Sequence, residues 1–205
     1  MDGLRQTENP WRYLVIEGNI GAGKTTLATM LSQHFSSKLV LEQFSDNPFL
    51  PGFYKDRKKY AFPLELSFLA ERYQQLKDEL GKPDLFQQGI VADYFVLKSL
   101  IFAQITLDQP EFELFGRLFK IIRDSLPLPD KLIYLHSDRD RLLQNIRHRG
   151  RPYEQEIQED YLHNIQSGYF ELLKSLQNLP VALVDVSKID FVAHNEDFER
   201  MLRLV

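Results

Sequence analysis

Residues 18–25 read Gly18-Asn19-Ile20-Gly21-Ala22-Gly23-Lys24-Thr25 and fit G-x-x-x-x-G-K-[ST] at every fixed position. The flanks suit that pattern. Tyr13-Leu14-Val15-Ile16 is an apolar run of strand type, and Leu27, Met30, Leu31 and Phe35 fall on one face of a following helix. Glycines let backbone N–H groups turn inward around phosphate oxygens, and the start of the following helix adds positive potential. Lys24 supplies a mobile charge for the outer phosphates, and the Thr25 hydroxyl can ligate Mg2+. With Thr26, these residues form the candidate triphosphate-binding set. Average composition gives the bare pattern by accident in about one chain per hundred of this length. The strand–loop–helix setting lowers that further. The stretch therefore implies a nucleoside triphosphate site, but it does not name a reaction.

Outward from this loop, short apolar runs alternate with helical stripes. Lys38–Glu42, Gly89–Asp93, Lys131–His136 and Val181–Val184 read as four further strands. Phe62, Leu66, Leu69, Tyr73, Leu76 and Leu80 mark one stripe of a long helix that Gly81 and Pro83 stop. Residues 95–125 read as helix interrupted at Pro110, and Ser137 with Asp140 makes a capping box for the next helix. Another long helix runs through Ile157, Tyr161, Ile165, Leu172 and Leu176, with Gly168 a weak point inside it. Phe198, Met201, Leu202 and Val205 suggest a closing helix. The expected fold is α/β: a five-stranded parallel sheet flanked by helices, in one domain spanning 1–205, with ligands at the carboxyl ends of the strands.

Composition excludes several classes. The chain has 25 Lys and Arg against 29 Asp and Glu, a net charge of −4, so a general polyanion binder is disfavoured and no nucleic-acid partner is expected. It has no cysteine, which removes disulfides, thiolate metal sites and a Cys nucleophile. The first twelve residues lack the apolar run of a secretory signal, and the longest apolar stretch, Leu97 to Leu107, is too short to span a bilayer. A cytoplasmic protein is expected.

Among nucleotide enzymes, GTPases need an Asn-Lys-x-Asp, and this chain has no Asn-Lys pair. Motor ATPases usually carry Asp-Glu after a strand, whereas Asp93 is followed by Tyr94. A small kinase needs an acceptor-side carboxylate, a metal-side carboxylate and a mobile arginine lid. Arg139, Arg141, Arg147, Arg149 and Arg151 crowd into thirteen residues broken by Gly150 and Pro152. Arg139 and Arg141 suit the ordinary role of cations at a helix end. Arg149 and Arg151 flank the breaker and are the candidate lid, about residues 147–156.

Four blocks, GNIGAGKTT, NPFLPGFYKD with the following YAFPLELSFLAERYQQL, KSLIFA and RHRGRPYEQEI, run from residue 18 to about 157. In that order they resemble the deoxynucleoside kinase family, and the second block is most similar to its bacterial purine-preferring branch. The resemblance implies a P-loop kinase fold, ATP and Mg2+, 5′-phosphorylation of a deoxynucleoside, and a homodimer. It implies roles by position. Glu42 receives the 5′-hydroxyl proton, although a carboxylate ending a strand also serves as a cap or faces solvent. Tyr54 bonds the sugar 3′-hydroxyl with Glu154 as its partner, Phe102 stacks on the base, and Arg72 lies beside the base edge. Arg149 and Arg151 act from the lid, Asp93 serves as the carboxylate near Mg2+ or as a helper base, and residues 187–191 lie against the adenine of ATP.

Three positions depart from the family. The family's acidic residue, arginine and serine appear here as Asp93-Tyr94-Phe95, and Arg147 is a candidate substitute for the missing arginine. The base-reading glutamine is Glu65. An ionised carboxylate only accepts, and guanine presents two donors, so Glu65 leans toward guanine or toward a base read with a bridging water; its spacing also allows a pair with Arg72. Lys98 stands where the family often has an acid near the base. Two rivals stay open: a thymidylate-type monophosphate kinase and a non-catalytic nucleotide-binding module.

Overall fold

The structure is a computed structural model that describes residues 10–43, 47–53, 55–81, 89–155 and 157–205, the side chain of Tyr153 apart. Strand β1 (Tyr13–Gly18) is buried along its whole length because it has a strand on either side. It pairs in parallel with β3 (Ile90–Ala92), Val15 against Ala92, and with β4 (Lys131–His136), Ile16 against Ile133. Strands β2 (Lys38–Val40) and β5 (Val181–Asp185) form the edges, giving the all-parallel order β2-β3-β1-β4-β5. The expected five-stranded parallel α/β sheet is thus present. β2 and β3 are shorter than their apolar runs, so Glu42 and Asp93 lie just beyond strand ends.

Helix α1 (Lys24–His34) follows the loop, and Leu27 and Leu31 pack into the main core. The short α2 (Leu50–Phe53) leads to α3 (Arg57–Leu80). α3 begins five residues before Phe62 because the Asp56 carboxylate caps it, accepting from the Lys59 N–H at 3.2 Å, and Pro63 is carried inside. The break in the 95–125 region is not at Pro110. α4 (Lys98–Thr106) ends first, Asp108 caps α5 (Gln109–Arg123), and Pro110 sits in its opening turn, where a missing N–H costs nothing. α6 (Arg139–Arg149) is capped by Asp138, which accepts from the Arg141 N–H at 2.8 Å; the Ser137–Asp140 box is not used.

α7 (Glu159–Ser175) runs unbroken through Gly168. A Cβ there would stand 2.5 Å from the Ile101 Cγ2 of α4, so this glycine lets two helices touch. α8 (Asn195–Leu202) closes the described chain. The main core runs from β1, β3 and β4 through Tyr94, Phe115, Tyr134 and Tyr169, and a smaller cluster of Leu50, Phe53, Ala61 and Leu64 joins α2 to α3. Among the described residues, no helix is long and apolar enough to cross a membrane.

Candidate active site

The loop after β1 holds a shape that its glycines permit. Gly21 has φ 83°, and a Cβ on it would meet the Leu142 carbonyl at 2.7 Å; Gly23 has φ 90° and opens α1. Two asparagines brace the loop. Asn19 Nδ2 donates to the Leu162 carbonyl of α7, and Asn145 Nδ2 donates to the Gly21 carbonyl from α6, both at 2.8 Å. The Lys24 ammonium curls over its own loop, donating to the carbonyls of Gly18 at 3.0 Å and Asn19 at 2.9 Å. Burial and the nearby Lys98 charge lower it to about 8, against the pull of Glu17, Glu42 and Asp93. A cleft of about 540 Å³ extends from here, lined by the loop, Arg141, Asn145 and His148 of α6, and Ile189 and Phe191 after β5.

Across the loop the acids gather. Thr25 Oγ1 donates to Asp93 Oδ2 at 2.5 Å, and Asp93 Oδ1 accepts the Glu42 backbone N–H at 2.7 Å. One side chain beyond β3 thus ties α1 to the segment beyond β2. The Glu42 carboxylate is gripped by two cations. Arg72 of α3 meets Oε1 through Nε at 2.8 Å and Nη2 at 2.7 Å, and Lys98 of α4 meets Oε2 at 2.7 Å. Burial alone would push the Glu42 carboxyl up, but Lys98 and Arg72 outweigh it and hold it down at about 2. Arg72 also donates to Ser99 Oγ at 2.8 Å, which fixes the plane of its guanidinium.

A second cleft, narrower at about 120 Å³, opens on these acids. Phe53, Leu64, Phe68, Phe102 and Tyr161 make its apolar walls, with Glu65 at its edge. Arg149, Arg151 and Glu154 also line it. Gly150, with φ 70°, ends α6, and Glu154 then binds both neighbours: Arg149 at 2.5 Å and Arg151 at 3.1 Å. Lys24, Thr25 and Arg149 line both clefts and mark where they meet.

The family model for deoxynucleoside kinases matches residues 14–205. This chain belongs to the deoxynucleoside kinase family. It is 42% identical over 193 residues to a deoxyguanosine kinase of Bacillus subtilis, covering 92% of this chain and 93% of that protein. A deoxyguanosine kinase of Lactobacillus acidophilus is 32% identical over 92% of this chain and 87% of its own length. A deoxyadenosine kinase of Dictyostelium discoideum is 31% identical over 86% and 73%. A structure of deoxyadenosine kinase from M. mycoides with bound dATP superposes with a TM-score of 0.81 at 25% identity, covering 93% of this chain and 97% of that one. The chain is therefore an enzyme, a deoxynucleoside kinase.

In the kinase, the expected residues largely converge. Lys24, Thr25, Glu42, Glu65, Arg72, Asp93, Phe102, Arg149, Arg151 and Glu154 all line the second cleft, and Ile189 to Phe191 line the first. Tyr54 lies outside the described residues. Other expectations are corrected. Arg147 is exposed and lines neither cleft, because it sits on the outer face of α6, so it does not substitute for the missing arginine. Lys98 lines the same cleft as Glu65, and there it bonds Glu42 and brings a second cation to that carboxylate. Arg72 does not pair with Glu65, since its guanidinium is taken by Glu42 and Ser99. Arg141 is more than a helix-end cation, for it lines the first cleft, whereas Arg139 pairs with Glu159 on the surface.

Glu17 was not anticipated. It is 2% exposed beneath the loop, accepting from the Phe95 N–H and the Tyr169 hydroxyl, both at 2.7 Å. Burial raises its carboxyl despite Lys98 and Lys24 nearby. The only signal in the sequence is a lone acid at the end of an apolar strand.

Proposed function

We propose that the kinase transfers the γ-phosphoryl group of ATP to the 5′-hydroxyl of a purine deoxynucleoside, deoxyguanosine or deoxyadenosine. The observation that carries this reading is the meeting of two clefts at Lys24, Thr25 and Arg149, with the Glu42 carboxylate facing the narrower one. The first cleft suits a triphosphate and its base. The second, with aromatic walls and a single layer of polar groups, suits a nucleoside. The reading takes residues 1–205 as one domain whose lid spans about 147–156.

Each residue then has a task. Loop amides and Lys24 hold the phosphates, and Arg141 adds charge along the same cleft. Thr25 and Asp93 offer hard oxygens that already meet at 2.5 Å, a donor set that suits Mg2+. When bound there, Mg2+ would neutralise phosphate charge. Glu42, held at about 2, is a weak base toward a free hydroxyl. It orients the 5′-oxygen by accepting its hydrogen bond, and takes the proton only as bonding to phosphorus makes that hydroxyl acidic. This order suits a loose transition state, where positioning outweighs early deprotonation. Glu154 faces the sugar 3′-hydroxyl, for which the family resemblance gives Tyr54 as its partner, and Phe102 stacks on the base beside Arg72. Arg149 and Arg151 close over the transferring group and exclude water.

The test is incubation with Mg-ATP and each of the four deoxynucleosides, with the four monophosphates in parallel. Deoxyguanosine and deoxyadenosine should yield monophosphates, and monophosphates should yield no diphosphates. Near-normal turnover by Lys24→Ala would refute the assignment.

The family resemblance also suggests a homodimer. Leu114 and Ile121, at 41% and 72% exposure, share a face of α5 with Leu118, beside the half-buried Phe62, Leu66 and Tyr73 of α3. An apolar stripe at this spacing suits a helix-to-helix contact between copies. Sedimentation should give twice the chain mass, and Ile121→Lys should halve it. A chain without cysteine that consumes ATP also suits the cytoplasm.

A further inference from the structure

Glu65 enters the second cleft from α3 with almost no solvent contact, at 2% exposure. Its Oε2 has no hydrogen-bond partner. Its Oε1 lies 3.1 Å from the Thr106 hydroxyl of α4, and that hydroxyl also lies 2.8 Å from the Phe102 carbonyl one turn earlier. A hydroxyl has one proton to give. The shorter contact, a back-bond within the helix, takes it. The contact to Glu65 is then a hydrogen bond only if Glu65 supplies the hydrogen, as a neutral acid.

The surrounding charges agree. Arg72 on the same helix and Lys98 on α4 are both bonded to Glu42, whose own negative charge also faces Glu65. Lys24, Asp93, Arg149, Arg151 and Glu154 complete the charged lining of the cleft. Among the described residues no cation is within ion-pair distance of Glu65. Burial pushes its carboxyl up to about 7, against the pull of Arg72 and Lys98. Both forms are therefore accessible near neutrality.

We propose that Glu65 chooses between purines by its own proton: ionised, it accepts the N1–H and 2-amino hydrogens of guanine, and protonated, it turns its hydrogen from Thr106 to the base and offers the one donor and one acceptor that the edge of adenine requires. This rests on the purine reading and deepens it. Protons balance in both cases. Deoxyguanosine binding expels the carboxyl proton to solvent, and deoxyadenosine binding retains it or draws one in.

The measurable consequence is a ratio. The kcat/KM for deoxyguanosine tracks the ionised fraction of Glu65, and that for deoxyadenosine the neutral fraction. Their quotient rises about tenfold per pH unit, or about a hundredfold from pH 6 to pH 8. Lys24, Glu42 and the ATP phosphates titrate for both substrates alike and cancel in the quotient.

The experiment is internal competition: equal deoxyguanosine and deoxyadenosine, Mg-ATP, and product ratios by chromatography at pH 6, 7 and 8. The wild type should show the hundredfold rise. Glu65→Gln should lose the slope and favour deoxyadenosine throughout. A flat wild-type ratio with both products formed, or an unchanged slope in Glu65→Gln, overturns this inference alone. Reaction of one nucleoside alone at every pH overturns this inference and leaves the purine reading standing, and failure of both overturns the purine reading and this inference with it. A second measurement needs no variant. Calorimetry of deoxyguanosine binding at pH 7, in buffers of different ionisation enthalpy, should report proton release, and deoxyadenosine proton uptake. Binding without proton exchange overturns the proposal.

Discussion

Replacing Lys98 by methionine removes one of the two cations that grip Glu42 while keeping most of the side-chain volume. The ammonium stands 2.7 Å from Oε2, and its side chain is 6% exposed, so water cannot take its place cheaply. One opposite charge in contact lowers a carboxyl by about 1–3 pKa units. Glu42, now at about 2, should move up by that amount in Lys98→Met. Arg72 keeps its two bonds to Oε1, so the carboxylate survives at neutral pH. Lys98 also depresses Lys24, so the Lys24 ammonium should rise from about 8 toward its ordinary value. The pH profile of kcat/KM for ATP should therefore shift upward on both limbs. Loss of one charged hydrogen bond should lower stability by about 1–3 kcal/mol. The assay is kcat/KM from pH 4 to 10, with a urea melt at pH 7 to verify folding. A folded variant whose two limbs stay in place would refute the idea that Lys98 sets the charge state of this site.

Three further outcomes are expected. Gly168→Ala puts a methyl 2.5 Å from Ile101 Cγ2 and should destabilise by about 1–3 kcal/mol; Gly116→Ala in α5 meets nothing within 4 Å and should stabilise by about 0.5–1 kcal/mol. Equal signs in denaturant melts of the two would contradict the packing described. Glu42 sits below its ordinary 4.5, so its contribution is present above that pH and disappears as pH falls toward 2. That term is on the order of 3 kcal/mol, and acid melts of Glu42→Gln should lack it. Glu65 is raised, so its contribution is present below pH 4.5 and disappears as pH rises through about 7. Melts at pH 5 and 8 should differ more for the wild type than for Glu65→Gln, and parallel behaviour would speak against a neutral Glu65.

Much of the fold was legible because its signals are local. The loop at 18–25 carries its own conformational code, and buried parallel strands are apolar on both faces, so five short runs stood out. Helix starts were misplaced where an aspartate cap outvoted a proline or serine, as at Asp108 and Asp138, or opened the helix ahead of its apolar stripe, as at Asp56. Glu42 and Asp93 were legible because acids at the ends of buried strands point to the ligand rim. The partners of Glu42 were not. Lys98 is 56 residues away, and only the docking of α4 beside α3 brings its ammonium to that carboxylate. Arg141 was misread because residue type alone does not tell which face of α6 looks into the cleft. The family resemblance pointed to Glu65, and the structure puts it in the second cleft, but its spare oxygen and its shared threonine proton depend on distances no spacing rule gives.

The bond from Asn145 to the Gly21 carbonyl limits how the arginine segment can swing. Most of α6 is pinned to the loop it serves, so rotating the whole helix would drag the phosphate cradle with it. If the segment moves as the proposed function requires, its travel would fall to residues beyond Asn145, with Glu154 tying the two guanidinium groups together. Opening for nucleoside entry would then leave the loop undisturbed, and a triphosphate already seated would stay seated while the acceptor comes and goes.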